Sequence, residues 1–485
     1  MVSASYILGA VVAAACGLAN AQSLPPKSVF AHYMVGNAGG YTADDWTSDI
    51  QAAQAAHIDG FALNIGAGFD NDPILTLAYD TANSLNFKLF LSFDYLGGPD
   101  QAWVKEDVVT TINNVKGNAA QFNVDGLPLV STFEGVDSQD QWSYIKSQVP
   151  IYFMPEWSLD PATVASNPDV DGAFTWNAWP QGASDMSDSP DLAWKSALGA
   201  KPYMMPVSPW FFTSLPQYNK NWIRRGDDLW YDRWQQVLEV QPQLVEIITW
   251  NDYGESHYIG PIRDAGIVPG AEWYVDNMPH DNWRDTLPYW IDAFKNGATT
   301  VDQEKLTFWY RETPKDACPS GGTVDNDPGS QGATEPTDVE QDEIFIDALV
   351  SSSADITVQI GDGAPTPLTA SKAGVNHFSV PFNGQTGPVS FTMTRNGAPV
   401  VPAVTGPDIS TTCPSQGTNW NAYVGGNQAH GDPVNDLSLQ FSKMNQIYLF
   451  DLDDFWKCRK ITLGVRTFRI FRKEDPKTGL FVLSP

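Results

Sequence analysis

The sequence predicts an α/β chain: a (β/α)8 TIM barrel followed by a small C-terminal β-sandwich. Three observations predict it. Eight apolar, β-branched runs alternate with helix-like segments between residues 28 and 300. Those runs end on acidic, polar and aromatic residues, as the strands of such a barrel do at the rim where its chemistry sits. Beyond about residue 340 the pattern shifts to short alternating runs with turn dipeptides between them.

The elements follow in chain order. Candidate strands cover 29–35, 60–65, 88–93, 127–132, 151–154, 172–176, 202–207 and 244–249. Candidate helices cover 42–56, 73–85, 102–116, 140–148, 191–198, 228–240 and 283–295, with a weaker crossover near 161–166. The first helix opens on Thr42 with acids in its first turn, which is a start signal. A doubly wound open sheet would need a Gly-rich phosphate loop after the first strand, and none follows it. Residues 301–340 are rich in Pro, Gly, Asp and Thr and read as a linker or long loop. Residues 341–435 carry the runs 356–360, 375–380 and 389–394, with Asn383-Gly384 and Asn396-Gly397 as turns. This β-sandwich either packs on the barrel or binds glycan. The tail, 436–485, is atypical: residues 457–477 hold eight of the chain's 28 basic residues.

The chemistry gathers at Val245-Glu246-Ile247-Ile248-Thr249-Trp250-Asn251-Asp252-Tyr253-Gly254-Glu255-Ser256. Val, Ile and Thr suit a strand covered on both faces, and Gly254 marks a turn beyond it. Asp252 and Glu255 therefore leave a strand end three residues apart, among Trp250, Asn251, Tyr253, His257 and Tyr258. Two carboxylates in an aromatic setting can cleave a glycosidic bond, one protonating the leaving oxygen and the other serving the anomeric carbon. Asp-Tyr-Gly is also an ordinary turn former. The catalytic reading assigns Glu255 as general acid and Asp252 as general base, with the reverse open. Other strand ends supply candidate substrate contacts: His32, Asn64, Asp94, Glu134, Trp176, Trp179 and Trp210. Large aromatics pack barrel rims as readily as they carry sugars.

Composition narrows the partners. The chain has 485 residues, 42% of them hydrophobic, with 18 Trp, enough for a large core and more than one domain. A formal net charge of −29 repels nucleic acid and anionic membranes, whereas a neutral polysaccharide is indifferent to it. Residues 1–21 read as a secretory signal peptide, with an apolar run from Tyr6 to Ala15 and small residues at Ala19-Asn20-Ala21. The protein is expected to be secreted, to act extracellularly or at a cell wall, and to be monomeric. Cys16 leaves with the signal. Cys318 and Cys413 flank the β-rich stretch and form the natural disulfide, leaving Cys458 unpaired. The cysteine spacing fits no zinc site, and neither a metal nor an organic cofactor is expected.

These residues resemble glycoside hydrolase family 71, the fungal α-1,3-glucanases or mutanases. The segments that carry the resemblance are His32-Tyr33-Met34-Val35-Gly36-Asn37, Ile58-Asp59-Gly60-Phe61-Ala62-Leu63-Asn64-Ile65-Gly66, Ser92-Phe93-Asp94, Ser131-Thr132-Phe133-Glu134-Gly135, Ser208-Pro209-Trp210-Phe211 and Trp250-Asn251-Asp252-Tyr253-Gly254-Glu255-Ser256. The resemblance spans the barrel and continues to about Asn435, and the tail departs from it. It implies hydrolysis of α-1,3-glucan with inversion, the catalytic pair falling on Asp252 and Glu255. A retaining hydrolase or transglycosylase on another α-glucan, and a non-catalytic wall-binding protein, are the alternatives.

Overall fold

Eight parallel strands form because each is a β-branched or aromatic run covered on both faces. The computed structural model describes residues 24–100, 102–325, 334–428 and 430, together with the strands Ile461–Leu463, Arg466–Phe471 and Val482–Ser484. The expected signal peptide, Cys16 and Cys458 lie outside the described residues. So does the tail 436–485, apart from those three strands, which pair with one another.

The strands are β1 (Ser28–Met34), β2 (Gly60–Gly66), β3 (Lys88–Asp94), β4 (Asn123–Val124), β5 (Leu127–Phe133), β6 (Tyr152–Pro155), β7 (Ala173–Phe174), β8 (Tyr203–Val207), β9 (Phe211–Leu215), β10 (Lys220–Arg224) and β11 (Leu244–Ile247). The helices are α1 (Ala43–Ala55), α2 (Asp72–Ser84), α3 (Lys105–Val115), α4 (Trp142–Gln148), α5 (Pro161–Ser166), α6 (Ser189–Leu198), α7 (Leu229–Val240), α8 (Glu272–Val275) and α9 (Leu287–Asn296). Thr42 caps α1 with a full capping box to Asp45. All eight expected strands are present, and their order in the curled sheet is β6-β5-β3-β2-β1-β11-β8-β7. A parallel bridge between Glu156 and Phe174 joins its two ends.

Alternation sorts the side chains. Outward residues such as Ala31, Leu63, Leu91 and Val245 pack against the helices with Trp46, Trp142, Trp230 and Trp234. Inward residues Phe30, Ala62, Phe90, Leu129, Met154 and Met204 make an apolar floor. One position further along lie His32, Asn64, Ser92, Ser131, Glu156 and Glu246, all buried. The floor fills the base of the curl, and the polar layer above it faces the strand ends.

The stretch read as a linker holds structured backbone. Within it lie β12 (Lys305–Tyr310) and β13 (Val324–Asp325). Leu306, Phe308 and Tyr310 alternate inward, and the polar run after Cys318 hid that short signal. Further strands are β14 (Glu343–Val350), β15 (Ala354–Ile360), β16 (Thr366–Ala370), β17 (Gly374–Pro381), β18 (Gly387–Arg395), β19 (Ala398–Pro399), β20 (Val404–Ile409) and β21 (Tyr423–Gly426). They form two sheets, β17-β14-β12-β21 and β16-β15-β18-β19 with β20 on β18. One apolar cluster, including Phe308, Ile346, Val358 and Phe391, draws on both. The Cys318–Cys413 disulfide forms as expected.

A buried ion pair fixes α6, α7 and β8. The Arg233 guanidinium donates to both Asp191 oxygens, at 2.8 and 3.2 Å, and to the Pro206 carbonyl at 2.8 Å. Neither charge reaches solvent. Asp191→Asn is expected to strand the Arg233 charge and lower unfolding free energy by about 3–5 kcal/mol. Urea denaturation checks this, and an unchanged midpoint would refute it.

Candidate active site

β11 delivers the two carboxylates. It stops at Ile247, the Ile248–Thr249 peptide is cis, and Tyr253–Glu255 form a 3-10 turn. The left-handed residue of that turn is Ser256, with φ of 59°, rather than Gly254. The Asp252 N–H donates to Thr249 Oγ1 at 2.9 Å, which fixes the start of the turn. The Gly254 carbonyl accepts from the Tyr274 hydroxyl at 2.8 Å. Asp252 and Glu255 both stay partly open to solvent.

Their environments differ in sign. Glu255 Oε1 takes the Lys220 ammonium at 2.6 Å, and Oε2 lies 3.0 Å from His257 Nε2. Burial works to raise the Glu255 pKa, but Lys220 and His257 outweigh it and hold the group well below the usual carboxylate range. Asp252 goes the other way: burial raises its pKa, and the Glu255 charge adds to this, against the pull of His257, Lys220 and His32. Glu255 is thus the ionised member, and Asp252 the one that keeps a proton longer. His257 is oriented by Thr249 Oγ1, 3.0 Å from its Nδ1. Ligand atoms of Asp252, Glu255 and His257 lie within 4.8 Å of one another, the one such group among the described residues. The Lys220 ammonium already supplies a positive charge at that point.

The polar layer lies beneath. His32 Nδ1 is 2.6 Å from Glu246 Oε1, across the β1–β11 pairing. Asp94 Oδ1 accepts from the Leu96 and Gly97 N–H groups at 2.8 and 2.6 Å, while burial pushes its pKa up. Asn64 is buried in this layer and works against that rise. Glu134 is half-buried and accepts from the Ser158 hydroxyl at 2.5 Å. Its N–H donates to Glu156 Oε2 at 3.0 Å. Trp176 remains half-exposed, its ring 4.8 Å from those of His32 and Phe133.

Five of the residues that the sequence places at the strand end or around the acids are enclosed. Trp210 is buried, donates to the Trp420 carbonyl at 2.9 Å, and lies so close to Gly226 that a Cβ there would be 2.1 Å from its ring. Trp250 is enclosed between Phe61 and Arg284. Asn251 bridges both backbone groups of Met34, at 2.8 and 3.1 Å. Tyr253 donates to the Pro261 carbonyl, and Tyr258 to that of Met278. Each is packing or cross-bracing around the turn. Trp179 is nearly buried too, and its ring flanks His257 at 5.4 Å.

Sequence reading missed three groups. Lys220 comes from the hairpin β9–β10, whose pairing no turn dipeptide announces. Glu246 lies inside an apolar run and was read only as strand. Glu156 ends its strand visibly, yet its state is set by burial, which with the Glu134 charge pushes its pKa up to about 8. A carboxyl that binds its proton more tightly when folded contributes stability that is full at low pH and declines as pH rises from about 4.5 to about 8. Glu156→Gln is expected to flatten that decline while leaving stability at pH 5 nearly unchanged. Thermal midpoints at pH 5 and pH 8 check it; a variant as pH-sensitive as the parent would refute it.

Residues 25–436 match Glycosyl hydrolase family 71. A mutanase of Penicillium rubens is 36% identical over 454 residues, 90% of this chain and 97% of that protein. A glucan endo-1,3-alpha-glucosidase of Schizosaccharomyces pombe is 38% identical over 418 residues, 82% of this chain and 94% of that protein. An ascus wall endo-1,3-alpha-glucanase of the same yeast is 31% identical over 387 residues, 74% and 87% of the two chains. Among solved structures, a family 99 endo-alpha-mannosidase from Bacteroides thetaiotaomicron aligns with a TM-score of 0.43 at 16% identity, covering 56% of this chain and 97% of that one.

Proposed function

The chain belongs to Glycosyl hydrolase family 71, and on that footing we propose that it hydrolyses internal α-1,3-glucosidic bonds of α-1,3-glucan, with Asp252 and Glu255 as the catalytic pair. The observation that carries the reading is the unequal contact of the two: the Lys220 ammonium and His257 sit on Glu255 at 2.6 and 3.0 Å and favour its ionised form, while Asp252 has the Glu255 charge as its neighbour. That is the division of labour glycoside hydrolysis needs. The names of the three relatives support the substrate.

Of the two assignments the sequence leaves open, the contacts of Glu255 with Lys220 and His257 support the one with Asp252 as acid. Asp252 is the general acid: it gives its proton to the glycosidic oxygen as the bond to the anomeric carbon breaks. Glu255 is the general base: it takes a proton from the water that attacks that carbon from the opposite face. One water is consumed, the anomer inverts, and proton exchange with solvent resets both groups. Asp94, Glu134 and Trp176 line the approach, and His32 faces it from the polar layer. The architecture is read as a closed (β/α)8 barrel with a C-terminal β-sandwich, and the chain as a secreted, monomeric enzyme of glucan walls. No helix among the described residues is long and apolar enough to cross a membrane.

One observation favours a second reading. The nearest atoms of the pair lie within 4.8 Å, close to the spacing of about 5–5.5 Å used in double displacement and short of the about 6.5–9.5 Å that admits a water. Against it, both Glu255 oxygens already accept hydrogen bonds, which suits proton uptake better than attack on carbon. Asp252→Asn and Glu255→Gln are each expected to lower hydrolysis of α-1,3-glucan by about 10²–10⁴-fold. A near-parental rate for either would remove the pair. NMR of fresh product is expected to show the β-anomer first; the α-anomer would establish retention. α-1,4- and β-1,3-glucans should release no sugar.

A further inference from the structure

The Lys220 ammonium is the strongest single charge acting on Glu255, yet it sits on a long flexible side chain at the start of β10. A two-stranded ribbon is marginal by itself. Here β9 and β10 gain a third strand from far along the chain: β13 pairs with β10 in parallel, Trp222 opposite Val324 and Ile223 opposite Asp325. Beside Lys220, Asn221 is gripped on both sides of its amide. Its Nδ2 donates to the Gly321 carbonyl at 3.1 Å, and its Oδ1 accepts from the Thr323 hydroxyl at 2.7 Å. Thr323 is 3% exposed.

The segment that grips Asn221 is itself tied down. The Cys318–Cys413 disulfide anchors its beginning across a sequence separation of 95 residues. The Pro319 carbonyl accepts from the Thr418 N–H at 2.9 Å. Trp420 closes the circuit, since its carbonyl accepts from Trp210 Nε1 at 2.9 Å. Phe212, Leu215 and Ile223 of the hairpin share one apolar cluster with Tyr253 of the catalytic turn and with Trp420.

We propose that residues 318–325, strapped by the Cys318–Cys413 disulfide, are a positioning element for the reaction: through Thr323 and Asn221 they fix the β9–β10 hairpin and so hold the Lys220 ammonium on Glu255. The strap touches no substrate and acts through Lys220. The inference rests on reading Glu255 as the ionised partner of the pair. Its consequence is specific. Loosening the strap withdraws positive charge from Glu255, so Glu255 takes a proton at higher pH and activity falls sooner on acidification.

The test is the pH profile of kcat/KM on soluble α-1,3-linked glucan oligosaccharides, which reports the free enzyme's groups. Lys220→Met is expected to move the acid limb up by about 1–3 pH units, the usual effect of losing an opposite charge at this range. Thr323→Val, and separately Cys318→Ser with Cys413→Ser, should move it the same way by less. Thr323→Val should add nothing in the Lys220→Met background. If both strap variants change only thermal stability or kcat, and the acid limb stays put while Lys220→Met moves it, the strap inference is overturned. If Lys220→Met itself leaves the limb in place, Glu255 is not the titrating base, and the reading of the pair falls together with the inference. Should the double serine variant fail to fold, Thr323→Val decides alone.

Discussion

Every second residue of the eight parallel strands points into the closed side of the curl, and that constraint organises the rest. At the base the inward positions are apolar, with the Phe30 ring 4.9 Å from Phe90 and 5.0 Å from Phe122. One step up they are polar, and a buried polar group must find a partner. His32 finds Glu246, and Glu156 accepts from the Glu134 backbone. Above that layer the strands end, and side chains there can be polar because water and substrate reach them. The turn that carries Asp252 and Glu255 therefore stands on a layer whose order comes from strand register rather than from loop conformation.

Two adjacent carboxylates do not divide acid from base by themselves. Placed alike, they would titrate as a near-symmetrical pair. Here the asymmetry is built from a third element. Lys220 and His257 both contact Glu255, while Asp252 feels them only at longer range and carries the Glu255 charge as a neighbour. The Lys220 ammonium feels Asp252 and Asp94 as well as Glu255, so acids from the end of β3 and from the turn after β11 all act on it. A lysine on an added hairpin and a histidine just beyond the turn thus act together on one of the two carboxyls.

The parts legible in the sequence are those with a local signal. The eight strands stand out because β-branched runs and their polar ends repeat, and the two catalytic candidates because acids follow such a run. The Cys318–Cys413 pairing is legible because the two cysteines flank the β-rich stretch. What stayed hidden depends on contacts distant in sequence. Lys220 is 35 residues from Glu255, and nothing in Lys-Asn-Trp-Ile-Arg marks it as a site residue. For Trp210, Trp250, Tyr253 and Tyr258, aromatic composition looks the same whether a ring is open or enclosed. Enclosure came from Gly226, Phe61, Arg284 and His280, which a single sequence does not associate with them.

The same contacts bear on the two sheets that follow residue 300, for which packing and glycan binding were both open. Their face toward the barrel is occupied by buried, charged links. His377 lies 2.7 Å from both Asp228, at the head of α7, and Asp347 on β14. Burial opposes its charge, but the two carboxylates outweigh it and push its pKa up to about 9, so the imidazolium persists through neutral pH. Trp309 on β12 donates to the Asp227 carbonyl at 2.8 Å, and His280 reaches the Ala422 carbonyl at 2.9 Å. Removing the sheets would leave Asp228, the Asp227 carbonyl and His280 without these partners and would strip β13 from the hairpin that carries Lys220. The charge pattern of the candidate turn and the packing of the C-terminal sheets are thus linked through the strand that pairs with the hairpin carrying Lys220.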